Sequence, residues 1–182
     1  MNIESYIKCY KNIITSDLCD SIINDVSPKD FLISTTALDD TENKIHRNTR
    51  ICYNKILNKK FENDIFKVVN SCITNYKKEF NYFGTGSTME DTGYNHLLYL
   101  GTENGEYKFH TDHFDHFPRV LSISLILNDN YDGGDFLFFE KNTMKVEKLK
   151  GSAVVFPSNF CFPHAVTPVS NGDRHSIITW IH

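Results

Sequence analysis

The chain changes its hydrophobic rhythm near residue 90. Before that point apolar residues recur at helical spacing. Phe61, Ile65, Val68, Val69, Cys72, Ile73, Tyr76 and Phe80 predict a helix from about Asn58 to Phe80, with one stripe turned to a sheet. A shorter helix is predicted through Leu18, Cys19, Ile22, Ile23 and Val26. Thr15-Ser16-Asp17 offers side-chain oxygens to its first N–H groups, and Ser27-Pro28 stops it. Ile7 to Ile14 reads as a short strand, and the polar, turn-rich stretch from Thr35 to Arg50 as a loop. Residues 1–90 are thus expected to form a helical and irregular support region.

From Tyr94 onward the period drops to two. Eight short runs read as strands: Tyr94 to Leu100, Tyr107 to Asp112, Val120 to Leu127, Asp135 to Phe139, Met144 to Leu149, Ala153 to Phe156, Ala165 to Val169 and Arg174 to Ile181. Turn residues separate them, among them Asn104-Gly105, Asp132-Gly133-Gly134 and Asn171-Gly172-Asp173. Strands at such regular spacing predict a mainly β protein with flanking α-helices, built on a double-stranded β-helix (a cupin-like jelly roll). Residues 94–182 would be that core, and 1–182 a single domain.

Composition narrows the class. The chain has 182 residues, 40% of them hydrophobic, enough for one domain with a sizeable core. A net charge of −4 makes nucleic acid an unfavoured partner. Five scattered cysteines without a CxxC pair argue against a disulfide framework and a zinc–thiolate site. No apolar run approaches the ~20 residues a membrane span needs, and no signal peptide is evident, so the expectation is a soluble, cytoplasmic protein. The sequence does not set the oligomeric state.

The candidate chemistry starts at Phe109-His110-Thr111-Asp112. In an extended run residues i and i+2 point to one side, so His110 and Asp112 project together. His164 follows 52 residues after Asp112 in a second strand-like stretch. Two imidazoles and one carboxylate leave about three coordination positions of a metal open, the arrangement of non-haem Fe(II) oxygenases. The bland alternative for the His-x-Asp pair is a solvated histidine beside an unrelated aspartate. His113, Asp115 and His116 sit in the following loop and fit a substrate rim better than a ligand set. A lone Arg174 would ordinarily be a solvated edge residue. Tyr99 and Tyr107 are equally at home in a site or a core, and Trp180 reads as core. The Gly133-Gly134 pair reads as a turn with close backbone approach, not a phosphate loop.

Taken together, the ordered pieces from Tyr94 to Trp180 resemble the 2-oxoglutarate- and Fe(II)-dependent oxygenases, in their prolyl 4-hydroxylase-like branch. These pieces are Tyr99, Gly105 and Tyr107 before His110-Thr111-Asp112; Leu127-Asn128; Gly133-Gly134-Asp135-Phe136; Gly151 to Phe156; Pro163-His164; Pro168-Val169; and Gly172, Arg174 and Trp180. The resemblance implies that His110, Asp112 and His164 ligate iron. It implies that Arg174 pairs with the distal carboxylate of 2-oxoglutarate, for which a guanidinium fork is suited. Ser176, on the same strand face, and Tyr99 and Tyr107 would complete the co-substrate pocket. One departure is the strand Ser122 to Leu127, which lacks a tyrosine that some relatives carry there; Ser122 and Ser124 share a face and are candidates to compensate.

The implied enzyme is a dioxygenase that uses Fe(II), 2-oxoglutarate and O2, with ascorbate as a candidate reductant. It would decarboxylate the co-substrate to succinate and hydroxylate an unactivated C–H bond. Asp112 leaves no position for a halide, which favours hydroxylation over halogenation. The implied substrate is a prolyl residue in a peptide or protein. Another residue, a free amino acid or a small metabolite are alternatives, as is a non-enzymatic metal- or ligand-binding module. Arg47, Arg50 and Arg119 are candidate anchors for substrate carbonyls or carboxylates, against a default of ordinary solvated charge.

Overall fold

The computed structural model describes residues 2–37, 43–113 and 118–182, with the backbone alone at 36, 37, 43 and 44. Its strands are β1 (Lys8–Tyr10), β2 (Leu32–Ile33), β3 (Arg50–Ile51), β4 (Tyr53–Ile56), β5 (Asn95–Tyr99), β6 (Glu106–His110), β7 (Leu121–Ile126), β8 (Phe136–Phe138), β9 (Met144–Lys145), β10 (Ala153–Pro157), β11 (His164–Val166) and β12 (Arg174–Ile181). They form a seven-stranded sheet in the order β1-β10-β7-β12-β5-β4-β2 and a five-stranded sheet in the order β9-β8-β11-β6-β3. All these pairings are antiparallel. This is the jelly-roll architecture that the period-two pattern predicts.

The alternation along each strand sorts residues into two cores. On β7, Ile123 and Leu125 face outward to the helices, while Ile126 faces the second sheet. On β10, Ala153 and Val155 take the helix side, and Val154 and Phe156 the inner side. On β12, Ile177 and Ile181 face the helices and Ile178 faces inward. A one-residue slip in any of these strands would exchange the two sets. The inner layer is closed from the smaller sheet by Phe136, Phe138 and Val166.

Both predicted helices form. Helix α1 (Ser16–Asn24) is capped by Thr15, whose hydroxyl accepts from the Leu18 N–H at 3.3 Å. Helix α2 (Lys59–Glu79) is capped by Asn58, which accepts from the Lys60 N–H. Phe61, Ile65, Val69, Cys72 and Tyr76 bury the predicted stripe against the outer face of the large sheet. Burying such side chains contributes about 1.5–3 kcal/mol each, which fixes the helix on the sheet.

The region before residue 94 departs from expectation. It supplies β1, β2 and β4 to the large sheet and β3 to the small one. These strands are two to four residues long, too short for alternation to show. The Ile7-to-Ile14 strand stops at Tyr10 because Asn12 turns the chain with φ 55°. The predicted loop from Thr35 to Arg50 contains a short pair, 36–37 with 43–44, and ends in β3; its residues 38–42 lie outside the described ones. The predicted strand from Ala165 to Val169 is split at Thr167-Pro168, and Val169–Ser170 pairs instead with Asp132–Gly133.

Candidate active site

The strand pair β6–β11 carries the first part of the site. His110 is the last residue of β6 and lies directly opposite His164, while Tyr107 lies opposite Val166. Three steps on β6 thus oppose two on β11, which is a β-bulge. In a regular strand residues 107 and 110 would face opposite ways. The bulge turns both inward, and the Tyr107 ring stacks on the His110 imidazole with centroids 3.5 Å apart and planes 16° from parallel. Asp112 lies two residues past the strand end, 8% exposed, on the same side.

The three predicted ligands converge. One donor atom from each of His110, Asp112 and His164 lies within 4.8 Å of the others. His110 Nε2 is 3.7 Å from Asp112 Oδ1, and His164 Nε2 is 3.5 Å from Asp112 Oδ2. The remaining ring nitrogens fix the tautomers. His110 Nδ1 donates to the Lys108 carbonyl at 2.8 Å, and His164 Nδ1 to the Phe162 carbonyl at 3.1 Å. A carbonyl can only accept, so Nδ1 carries a proton in each ring, and both Nε2 atoms face the Asp112 carboxylate. Burial, reinforced by the neighbouring His164, pushes the His110 imidazole down to about 3. Burial raises the Asp112 carboxyl, but facing His164 and His110 and a hydrogen bond from Ser122 outweigh it and hold the group below its ordinary range. Two imidazoles and a carboxylate facing one another suit a divalent metal. The donor chemistry therefore fits iron.

A buried relay holds the carboxylate. Ser122 Oγ donates to Asp112 Oδ2 at 2.7 Å, and Ser122 and Ser158 hydroxyls bond at 2.8 Å. Ser122 and Ser158 are 0% and 1% exposed. Ser124, on the same face of β7, lines the cavity. The sequence flagged the two serines as a shared face but not Ser122 as the partner of Asp112, since the chain between them gives no sign that they meet.

The large sheet supplies the other end. Arg174 and Tyr99 are directly opposite on β12 and β5. The Arg174 guanidinium lies 4.9 Å from the Tyr99 ring centre and donates through Nη1 to Ser176 Oγ at 2.9 Å. Arg174 is 3% exposed, and among the described residues no carboxylate lies within ion-pair distance of it. Burial raises the hydroxyl of Tyr99, and also that of Tyr131, which Arg174 contacts and partly offsets. Tyr131, in a turn, is a site neighbour that sequence reasoning missed.

His110, Asp112, His164, Arg174, Ser176, Tyr99 and Tyr107 all line one cavity of about 410 Å³. Trp180, expected in the core, lines it too, with the Arg119 guanidinium stacked 3.7 Å over its ring. Arg119 also donates to the Asp112 carbonyl at 3.1 Å. His113 is at the cavity wall, whereas Asp115 and His116 lie outside the described residues. His175 points away and pairs with His96 at 3.0 Å on the outer face.

Fold and site together define a jelly-roll protein with a two-histidine, one-carboxylate centre. Residues 94–182 match the 2OG-Fe(II) oxygenase superfamily. A PKHD-type hydroxylase of Prochlorococcus marinus (strain MIT 9301) is 39% identical over 62 residues, which cover 34% of this chain and 27% of that protein. The matched stretch thus spans about a quarter of this relative's length. Among solved structures, a prolyl hydroxylase from Trichoplax adhaerens, in complex with a hypoxia inducible factor oxygen degradation domain peptide fragment, has the same fold. It superposes with a TM-score of 0.77 at 18% identity, covering 97% of this chain and 83% of that one. A Pseudomonas putida prolyl-4-hydroxylase gives a TM-score of 0.71 at 18% identity, with 97% and 92% covered. Among the described residues no helix is long and apolar enough to cross a membrane.

Proposed function

We propose that the chain is an Fe(II)- and 2-oxoglutarate-dependent dioxygenase that hydroxylates a prolyl residue in a peptide or protein. The observation that carries this reading is the convergence of His110 Nε2, His164 Nε2 and the Asp112 carboxylate in the cavity that Arg174 and Ser176 also line. His110, Asp112 and His164 would hold the metal, and Arg174 with Ser176 the far carboxylate of the co-substrate. When bound, iron and 2-oxoglutarate supply the oxidising power, with succinate and carbon dioxide as by-products and one oxygen atom of O2 delivered to a C–H bond.

The protein's own part is orientation and shielding. The Lys108 and Phe162 carbonyls hold both rings by Nδ1, which leaves Nε2 as the atom turned to the metal position. Ser122 and Ser158 turn the carboxylate toward the histidines. Arg174, always charged, presents two or more N–H groups from a dry strand face, where a charge-assisted hydrogen bond is strongest. Phe136 and Val166 line the cavity and limit water around the reacting centre. Substrate choice is supported by the fold shared with prolyl hydroxylases. A cytoplasmic setting is supported by five free cysteines.

The test is a proline-peptide library screened by mass for a gain of one oxygen, with succinate followed in parallel. Iron- and 2-oxoglutarate-dependent hydroxylation that disappears in His164→Ala is the expected result. A protein that binds iron but never converts 2-oxoglutarate, with or without peptides, refutes the reading.

A further inference from the structure

A second guanidinium in the cavity has no carboxylate partner among the described residues. Arg50 sits on β3 directly opposite Tyr107 on β6. Its guanidinium lies 4.5 Å from the Tyr107 ring centre, and that ring in turn stacks on His110. Arg50 is thus the outer layer of a cation–tyrosine–histidine stack whose inner layer is a metal-ligand candidate. The backbone holds it there: Nη1 donates to the Thr35 carbonyl at 3.1 Å, while Nη2 has only a weak contact with Cys52 Sγ at 3.9 Å. Its Nε is shut off from solvent and has no hydrogen-bond partner among the described residues.

Three residues earlier, Arg47 is neutralised by an ion pair with Glu103. No carboxylate among the described residues pairs with Arg50. A guanidinium carries five N–H donors, and Arg50 is half-buried with its Nε enclosed. Among the described residues the charged lining of the cavity is Arg50, Arg119, Arg174 and Asp112. A divalent cation and a dicarboxylate co-substrate cancel each other, so loading the cavity supplies no spare anion for Arg50. One end of that co-substrate belongs at the metal and the other at Arg174, which leaves Arg50 to a different anion.

The geometry points to Arg50 as a specificity-determining residue that anchors a carboxylate of the primary substrate, which makes that substrate an acidic peptide. The inference rests on the dioxygenase reading above and deepens it. The carboxylate is either an Asp or Glu side chain near the proline or a peptide C-terminus, and the chemistry at Arg50 is the same.

The experiment uses full-length protein loaded with Mn(II) and 2-oxoglutarate under argon, titrated calorimetrically with three proline-peptide pools. One pool carries Glu beside proline and is amidated, one carries Gln and is amidated, and one carries Gln with a free C-terminus. The wild type is expected to bind a carboxylate-bearing pool about tenfold more tightly than the amidated Gln pool, the scale of one charge-assisted hydrogen bond. The preference is expected to vanish in Arg50→Gln and to survive in part in Arg50→Lys, with both variants checked for a cooperative melt. Equal affinity of the wild type for all three pools, or no binding to any, overturns the inference. So does an Arg50→Gln protein that loses affinity for 2-oxoglutarate while keeping the pool preference. Failure of the wild type to bind Mn(II) and 2-oxoglutarate at all instead overturns the dioxygenase reading beneath it.

Discussion

The imidazoles of His110 and His164 face each other across β6 and β11 with ring centroids 4.2 Å apart. Each is anchored through Nδ1 to a backbone carbonyl two residues earlier in the chain, Lys108 within β6 and Phe162 just before β11. The two strands therefore set the ligand geometry through main-chain bonds, and the side chains have little left to search. What remains adjustable is Asp112, which lies beyond the strand end and depends on Ser122.

That dependence is measurable. Ser122→Ala removes the donor to Asp112 Oδ2 but changes little volume in a site already closed. Partners that orient ligands typically contribute a factor of about 10–100 in metal affinity. Mn(II) titration of the variant is expected to show a loss in that range with an unchanged melting temperature. An unchanged metal affinity would show that Asp112 is held by the backbone alone.

The helix layer supports the site without touching it. Ile65 is 0% exposed and packs on the outer face of the large sheet. Ile65→Ala is expected to lower unfolding free energy by about 2–5 kcal/mol in urea. Metal affinity, measured on the folded fraction, is expected to stay within about twofold, because the ligands sit on the opposite side of that sheet.

Gly133 has φ 63°, and a Cβ there would meet the Pro168 carbonyl oxygen at 2.0 Å. Gly133→Ala therefore imposes both a left-handed conformation on a residue with a side chain and a clash with backbone. A loss of about 1–3 kcal/mol in denaturant unfolding is expected. No loss would mean that the Asp132–Gly133 pairing with Val169–Ser170 is dispensable.

Acid should weaken the fold through His96. Burial, then the neighbouring His175, pushes its imidazole down to about 3. An unfolded histidine titrates near 6.5. As pH falls below about 6.5 the unfolded chain takes a proton that the folded chain refuses until about 3, so stability declines across that window and flattens below it. Urea midpoints of the metal-free protein should fall between pH 7 and pH 4. His96→Gln, which does not titrate, should show a shallower fall. Parallel slopes would remove His96 from the account.

The sequence carried the second half of the fold because five of its strands, β5, β6, β7, β10 and β12, are five to eight residues long. Ser122-Ile123-Ser124-Leu125-Ile126 already shows which residues face which layer. Tyr53-Asn54-Lys55-Ile56 shows nothing comparable: its residues are half-buried or exposed, and it is a strand because β5 offers it a hydrogen-bonding edge. The cluster of His110, Asp112 and His164 was legible from spacing and resemblance. The position of Tyr107 was not, because a bulge between facing strands leaves no mark in either strand alone. Arg50 read as ordinary solvated charge for a similar reason, since only the β3–β6 pairing lays it over Tyr107. Trp180 read as core because a period-two strand places it inside, and the pattern cannot tell an inner core from an inner cavity.

The most direct test of the central claim is anaerobic calorimetry of 2-oxoglutarate binding, with and without Fe(II). The account predicts one molecule bound per chain, only when Fe(II) is present. Affinity should fall about 10-fold or more in Arg174→Leu, the scale of a buried charge-assisted hydrogen bond, and stoichiometric binding should be lost in Asp112→Ala. Binding that is independent of Fe(II), or that survives both substitutions unchanged, would contradict it.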